Sequence, residues 1–308
     1  MQKMITIIGP TASGKTSLAV AVASSLNGEI ISADSRQVYR RMNIGTGKDL
    51  DEYQADGKKI DYHLIDICEP GTKYNLFEYQ RDFLAAYKQI IERNKLPVLC
   101  GGTGLYVESV LGSYQLSPVP QNPTLRKKLE GKTLEELTGM LEKLKQKNHS
   151  TMHNKTDVDS PQRAIRAIEI EAYNRHNPIS ERMFPQLESL LVGVHVDRET
   201  RRKRISERLK FRLENGMIDE VKGLLQEGIP AENLLYYGLE YKYVTDHVIG
   251  NISYKDMYER LEIAIHQFAK RQMTWFRGME RRGFHIHWIE GILPMDEKLK
   301  EIKRLKDN

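Results

Sequence analysis

Eight consecutive residues near the start of the chain have the types and spacing of a phosphate-binding loop. They match the pattern G-x-x-x-x-G-K-S/T between a short apolar segment and a helical pattern, which is the context this loop requires. The residues are Gly9, Pro10, Thr11, Ala12, Ser13, Gly14, Lys15 and Thr16. Such a loop turns successive N–H groups toward an anion, and the helix dipole adds positive potential. The loop therefore predicts binding of a diphosphate or triphosphate, with Lys15 on the terminal phosphate oxygens and the Thr16 hydroxyl able to ligate Mg²⁺.

A polar segment with one carboxylate follows the second predicted strand. Asp34 begins the run Asp34-Ser35-Arg36-Gln37, and the carboxyl ends of parallel strands share one sheet edge, so we expect Asp34 near the loop. A carboxylate there could act as a general base or help to hold Mg²⁺. Taken alone, an aspartate after a strand is more often an N-cap or turn residue. Arg36 and Gln37 have side chains suited to phosphate and base-edge contacts.

Short apolar segments alternate with amphipathic helical patterns around these groups. Strands are predicted at 5–8, 29–32, 97–100, 190–196 and 285–289, and helices at 15–26, 76–94 and 254–277. The apolar side of the last helix is predicted to carry Met257, Leu261, Ala264, Ile265, Phe268 and Trp275. This alternation predicts an α/β fold with a P-loop NTPase-like parallel sheet flanked by helices.

The middle of the chain differs in composition from the rest. A proline-containing stretch over 113–123 is followed by purely helical patterns to about residue 173, with a capping box at Thr133 to Glu136. We therefore predict a small all-helical insertion domain of residues 113–186. The α/β core is then formed by residues 1–112 and 187–308.

The composition is that of a globular protein with a mild basic excess. Of 308 residues, 40% are hydrophobic and 29% charged, and the net charge of +5 is compatible with a polyanionic partner. Cys68 and Cys100 form no C-x-x-C pair, which favours two ordinary thiols in a reduced, cytoplasmic setting. No apolar run approaches the length of a membrane span, and residues 1–9 are too short for a signal peptide. We expect a monomer.

Six segments spread over nearly the whole chain occur in a characteristic order. They are GPTASGKT (9–16), ADSRQVYRRMNIGTGK (33–48), HLIDI (63–67), GGTGLY (101–106), PQRAIRAIE (161–169) and AKRQMTWFR (269–277). Together they closely resemble bacterial tRNA dimethylallyltransferases, also called tRNA isopentenyltransferases. A phosphate-binding loop alone is shared with many NTPases, whereas this combination is far more selective.

The resemblance implies a specific reaction and a set of residues for it. A dimethylallyl group would pass from dimethylallyl diphosphate to N6 of the adenosine 3′ of the anticodon in tRNA, with Mg²⁺ as cofactor. Asp34 would be the general base, with Lys15, Thr16 and Thr103 as further catalytic positions, and the target base would have to leave its stack. The positions implied in contact with the anticodon stem-loop are Asp34, Ser35, Arg36, Gln37, Thr103, Arg126, Gln162, Arg163 and Arg166.

Two further stretches bear on tRNA binding. In YYGLEYK (236–242), Glu240 occupies a position where the family commonly has a small residue, so we assign no role to Lys242. Residues 198–212 carry eight Arg and Lys against two Glu, a local net charge of +6. This imbalance exceeds what pairing within one helix can neutralise and predicts contact with a phosphate backbone.

Two other classes of protein stay open on the sequence alone. A small-molecule or nucleoside kinase would share the loop and the fold but use ATP, with an arginine-rich lid and an acceptor pocket without RNA. A non-catalytic or motor RNA-binding NTPase needs an apolar strand that ends in Asp. The strand 97–100 leads into Gly101-Gly102 instead, which counts against that class. Whether a nucleotide such as ATP also binds the loop is left open by the sequence.

Overall fold

A computed structural model describes residues 4–55, 57–148, 158–177 and 184–307 of the chain. The contacts between residues divide the chain into two compact units. The first, here called the core unit, comprises Met1–Ser113 and Gln186–Asn308, and the second, the helical unit, comprises Tyr114–Pro185.

Six parallel strands form the central sheet of the core unit, in the order β5-β2-β6-β1-β7-β8. A separate antiparallel pair is formed by β3 and β4. The strands are β1 (Met4–Ile8), β2 (Gly28–Ser32), β3 (Gln54–Ala55), β4 (Lys58–Lys59), β5 (Tyr62–His63), β6 (Leu96–Gly101), β7 (Ser189–His195) and β8 (His287–Glu290). The parallel sheet flanked by helices confirms the predicted α/β class.

Twelve α-helices lie in the described part of the chain, with a 3₁₀ turn at Leu50–Glu52. They are α1 (Lys15–Ser25), α2 (Leu76–Glu92), α3 (Gly104–Leu111), α4 (Pro123–Leu129), α5 (Leu134–Lys147), α6 (Pro161–His176), α7 (Arg198–Glu214), α8 (Met217–Gln226), α9 (Ala231–Leu234), α10 (Leu239–Val248), α11 (Tyr254–Arg281) and α12 (Met295–Asp307). Among the described residues, none of these helices is long and apolar enough to cross a membrane.

The central strands are buried on both faces, which is why they read as continuous apolar runs. Every residue of β1 and of β6 is buried. β1 lies between β6 and β7, with Ile8 opposite both Gly101 and Gly193. The strands therefore end in register, and the segments that follow them meet at one edge of the sheet.

Helix α11 packs in a second apolar cluster with residues of α7, α8 and α10. Its buried stripe runs through Leu261, Ile265, Ala269 and Phe276. Phe268, which the sequence pattern placed on the apolar side, is 39% exposed. The prediction for Phe268 was wrong because the stripe continues through Ala269, one position further along the helix.

The helical unit has its own small core, formed by residues of α4, α5 and α6 such as Leu129, Leu141 and Ile168. The predicted capping box is confirmed at the start of α5. The Thr133 hydroxyl accepts a hydrogen bond from the Glu136 N–H at 3.2 Å, and the Glu136 carboxylate accepts from the Thr133 N–H at 2.8 Å. These contacts fix where α5 begins.

Candidate active site

The phosphate-binding loop connects the end of β1 to the start of α1. Gly14 lies directly before the helix with a φ of 83°, a region that strongly favours glycine. No side chain caps α1. The N–H groups of its first turn are therefore available to an anion, and they lie beside the side chain of Lys15.

Asp34 lies at the carboxyl end of β2 and close to Lys15. Its Oδ1 accepts a hydrogen bond from the Arg36 backbone N–H at 2.8 Å, which orients the carboxylate. Burial lowers the pKa of Lys15, and the negative charge of Asp34 acts in the opposite direction. The ends of β1 and β2 both lie beside the end of β6, so the loop with Lys15 and the segment with Asp34 begin at the same edge of the sheet, as the sequence predicted.

Thr103 joins the end of β6 to the segment that carries Asp34. The Thr103 hydroxyl oxygen accepts a hydrogen bond from the Ser35 N–H at 3.1 Å and lies 3.5 Å from the Ser35 hydroxyl. Gly101 makes this approach possible, because a Cβ added there would lie 2.2 Å from the carbonyl oxygen of Ala33. The two strand ends therefore hold Asp34, Ser35 and Thr103 in one cluster.

The side-chain amide of Gln37 is held on both sides. Its Oε1 accepts a hydrogen bond from the Ser32 hydroxyl at 3.1 Å, and its Nε2 donates to the Gly47 carbonyl at 2.9 Å. An amide can make up to four hydrogen bonds, so one donor and one acceptor direction stay open for another group. Gln37 is thus oriented before any ligand arrives.

Gln272, to which the sequence analysis gave no role, contacts the phosphate-binding loop from α11. Its Oε1 accepts a hydrogen bond from the Thr11 N–H at 2.8 Å, and its Nε2 donates to the Gly102 carbonyl at 2.9 Å. The side chain is buried and ties the loop to the end of β6. Its place in the segment AKRQMTWFR was the only signal in the sequence.

Arg208 of α7 also reaches the loop, because its Nη2 donates a hydrogen bond to the Thr11 hydroxyl. Burial is the largest influence on this guanidinium and lowers the pKa of Arg208 to about 10. At neutral pH the group therefore keeps its positive charge. Arg208 adds a second cation to the loop, and the sequence had assigned it only to a general basic run.

The basic run of α7 is divided between different surroundings. Arg212 is almost fully buried, and its Nη2 donates to Asp49 at 2.8 Å. The prediction that this run contacts a phosphate backbone is wrong for Arg212, because a helix packed on a core must turn one side inward. Within the described chain, no ion pair involves four other arginines of this helix, Arg198, Arg201, Arg202 and Arg204.

The predicted tRNA-contact residues of the helical unit differ in their surroundings. Arg126 donates two hydrogen bonds to the buried Glu169 carboxylate, both at 2.8 Å, and Arg166 donates a third at 3.2 Å. Burial would raise the pKa of Glu169, but these contacts and a backbone N–H lower it to about 2. Gln162 and Arg163 are exposed. Arg126 and Arg166 thus stabilise this unit, and contact of the four residues with tRNA stays a prediction.

The loop fits a magnesium ion that is shared with a diphosphate. The described ranges contain no group of three or more His, Cys, Asp or Glu side chains that could hold a metal. The Thr16 hydroxyl makes no hydrogen bond to another described residue. Mg²⁺ is usually bound by one or two protein groups together with substrate phosphates and waters. One free hydroxyl beside an anion site meets that requirement.

Comparisons with known proteins identify relatives over almost the whole chain. A family model described as IPP transferase matches residues 37–279, and one described as isopentenyl transferase matches residues 2–61. The chain is 62% identical over 301 residues to tRNA dimethylallyltransferase 2 of Bacteroides fragilis, covering 98% of this chain and 97% of that protein. It is 60% identical over 302 residues to tRNA dimethylallyltransferase 2 of Porphyromonas gingivalis, covering 98% of both.

Solved structures show the same fold. The full-length tRNA isopentenylpyrophosphate transferase of Bacillus halodurans is 31% identical, with a TM-score of 0.71 over 100% of this chain and 98% of that one. A eukaryotic dimethylallyltransferase acting on tRNA has a TM-score of 0.73 over 94% of this chain and 74% of that one. At 22% identity the latter likeness establishes the fold alone.

Proposed function

This chain belongs to the tRNA dimethylallyltransferase family, and we propose that it transfers a dimethylallyl group from dimethylallyl diphosphate to N6 of the adenosine 3′ of the anticodon in tRNA. Diphosphate is the second product. The observation that supports the proposal is that Asp34 follows β2 at the same sheet edge at which β1 leads into the phosphate-binding loop, and that its negative charge acts on Lys15. A kinase is not favoured, because relatives named for tRNA modification match the chain over nearly its full length.

The donor half of the site stabilises the leaving diphosphate. As the new C–N bond forms, the bond between the prenyl carbon and the diphosphate oxygen breaks, and its electron pair goes to that oxygen. Lys15, Arg208 and the first-turn N–H groups of α1 are the cations and dipoles that meet this charge. Thr16 would hold Mg²⁺, which when bound supplies further positive charge to the diphosphate.

The acceptor half of the site removes a proton from the adenine amine. An exocyclic amine is a weak nucleophile, so a carboxylate within hydrogen-bond reach of N6 aids attack. We assign this role to Asp34, whose carboxylate is oriented by the Arg36 N–H. Thr103 and Ser35 fix the backbone around it, and the oriented amide of Gln37 suits an adenine edge. The target base must be flipped out of the RNA stack to reach them.

The remaining parts of the proposal concern the setting of the enzyme. The helical unit contacts the anticodon stem-loop through Arg126, Gln162, Arg163 and Arg166, as the family resemblance implies. Of these, Gln162 and Arg163 are exposed in the described structure, and Arg163 pairs with Asp159 one helical turn before it. The enzyme works as a monomer in the cytoplasm with Mg²⁺.

The proposed reaction is tested with isotope-labelled donors. The protein is incubated with unmodified tRNA, Mg²⁺ and either labelled dimethylallyl diphosphate or ATP labelled in its terminal phosphate. We expect label in tRNA from the prenyl donor and a large loss of that label with Asp34→Ala. The control Asp51→Ala, whose carboxylate is exposed in the 3₁₀ turn, should give as much label as the wild type. Transfer of phosphate from ATP to a small acceptor, with no prenyl label in tRNA, would refute the proposal.

A further inference from the structure

Tyr236 presents a half-exposed ring flanked by two cations. The residue is 51% exposed. The guanidinium carbon of Arg36 lies 5.3 Å from the ring centroid, and Nζ of Lys73 lies 5.8 Å from it. Neither Arg36 nor Lys73 forms an ion pair with a described residue. The arrangement combines an aromatic surface with positive charge that no carboxylate of the described chain neutralises.

The ring and the lysine are held in place by a buried tyrosine next in sequence. The Tyr237 hydroxyl accepts a hydrogen bond from the Gly71 N–H and donates one to the Thr72 carbonyl, both at 2.7 Å. Its ring packs on Tyr39 with a centroid distance of 4.4 Å. The backbone that leads into Lys73 is thus fixed beside Tyr236, which keeps the lysine side chain within reach of the ring.

The same ring is tied to the acceptor half of the active site through Arg36. The backbone N–H of Arg36 holds the Asp34 carboxylate, while its side chain reaches Tyr236. A Cβ added to Gly238 would lie 3.6 Å from the Arg36 side chain, so this side chain also packs on the backbone after Tyr237. An RNA base that flanks the target adenosine would therefore arrive beside the ring.

We propose that Tyr236 is a stacking platform for a nucleobase next to the target adenosine, with Arg36 and Lys73 on the neighbouring phosphates. This inference rests on the proposed function. Extrusion of one base unstacks its neighbours and exposes their faces, and aromatic rings with flanking cations are how proteins hold unstacked nucleotides. A packing role does not account for Tyr236, because half of the residue is in solvent.

The test compares three variants with an anticodon stem-loop RNA as the varied substrate. They are Tyr236→Ala, Tyr236→Phe and the control Tyr254→Ala, which removes a similarly exposed ring at the start of α11. Loss of one base stack should raise the KM for RNA by about 5-fold to about 150-fold in Tyr236→Ala. The KM for dimethylallyl diphosphate and the melting temperature should not change. Tyr236→Phe and Tyr254→Ala should resemble the wild type.

Several results would overturn the proposal. One is a KM for RNA in Tyr236→Ala no higher than in Tyr254→Ala, and another is an equal loss in Tyr236→Phe, which keeps the ring. If Tyr236→Ala is unstable, Lys73→Ala is measured instead, since Lys73 is exposed. Loss of one phosphate contact should reduce the slope of log binding constant against log salt concentration for RNA by about one. An unchanged slope would count against the platform. A wild type without prenyl transfer contradicts the proposed function instead, and the platform is then judged by RNA binding alone.

Discussion

Replacement of Gln272 by leucine would disconnect the phosphate-binding loop from the end of β6. The substitution keeps the shape of the side chain but removes both hydrogen bonds, the one from Thr11 N–H at 2.8 Å and the one to Gly102 O at 2.9 Å. An unsatisfied buried backbone group costs about 1–3 kcal/mol. Because the contact with Gly102 O is buried, its loss should lower the free energy of unfolding by about 1–3 kcal/mol, and loss of the partly buried contact with Thr11 N–H should add a smaller amount.

Replacement of Gln272 by glutamate would separate the structural effect from an electrostatic one. The carboxylate can still accept from Thr11 N–H, but it cannot donate to Gly102 O. It also brings a negative charge to the loop, because the side chains of Gln272 and Lys15 both lie next to Gly102. A Cβ added to Gly102 would be 2.5 Å from Gln272 Nε2 and 3.5 Å from Lys15 Cε. We expect this variant to raise the KM for dimethylallyl diphosphate far more than the KM for RNA, because the carboxylate repels the diphosphate.

The two Gln272 variants are compared by thermal melting and by steady-state kinetics with each substrate varied in turn. Gln267→Leu and Gln267→Glu are matched controls, since Gln267 is exposed on the same helix. The reasoning is refuted if Gln272→Leu melts like Gln267→Leu and binds the donor equally well. It is also refuted if Gln272→Glu raises both KM values by the same factor.

Three further predictions follow from single contacts. Arg208→Gln removes a charged donor to Thr11, so the KM for dimethylallyl diphosphate should rise about 10-fold to about 150-fold in steady-state assays. Gly101→Ala places a Cβ 2.2 Å from the Ala33 carbonyl oxygen and should lower the urea midpoint, whereas Gly139→Ala, with no atom within 4 Å, should stabilise its helix by about 0.5–1 kcal/mol. Glu29→Gln should lower the free energy of unfolding by about 1.5–3 kcal/mol, because it removes a buried carboxylate that accepts from the partly exposed Arg93 and Lys95. Burial opposes ionisation, but hydrogen bonds from basic neighbours lower the pKa of Glu29 from 4.5 to about 2. Because the pKa of Glu29 is lower in the folded than in the unfolded chain, its ionisation stabilises the fold at pH values above the unfolded pKa. In urea titrations the free energy of unfolding of Glu29→Gln should therefore lie furthest below that of the wild type above pH 4.5, and this difference should vanish as pH falls through about 2.

The sequence alone was sufficient to predict the parts of the site that are formed by residues close together along the chain. The loop that ends in Lys15 and Thr16 is one continuous motif, and the position of Asp34 follows from the rule that parallel strands end at a common edge. The family, the fold class and the transferase activity were predicted from such segments, and the comparisons confirm them. The assigned roles of the individual residues remain predictions.

The sequence was insufficient where the site depends on contacts between distant segments. Thr11 is 261 residues from Gln272 and 197 from Arg208, and no periodicity encodes either contact. The same holds for Arg126, for which the family resemblance implied tRNA contact and whose guanidinium is bound to Glu169, 43 residues away. A basic residue on a helix has the same local pattern whether it faces a carboxylate or solvent.

Mass spectrometry of tRNA nucleosides tests the central claim most directly. Unmodified tRNA is incubated with the protein, Mg²⁺ and dimethylallyl diphosphate, then digested, and the adenosine 3′ of the anticodon is located by sequencing of fragments. The account predicts that this adenosine gains one C5H8 unit on N6 when it is incubated with the wild type. With Asp34→Asn, which keeps the shape of the side chain but removes the general base, the adenosine should gain almost none. Full modification by Asp34→Asn, or a C5H8 unit on another nucleotide, would contradict it.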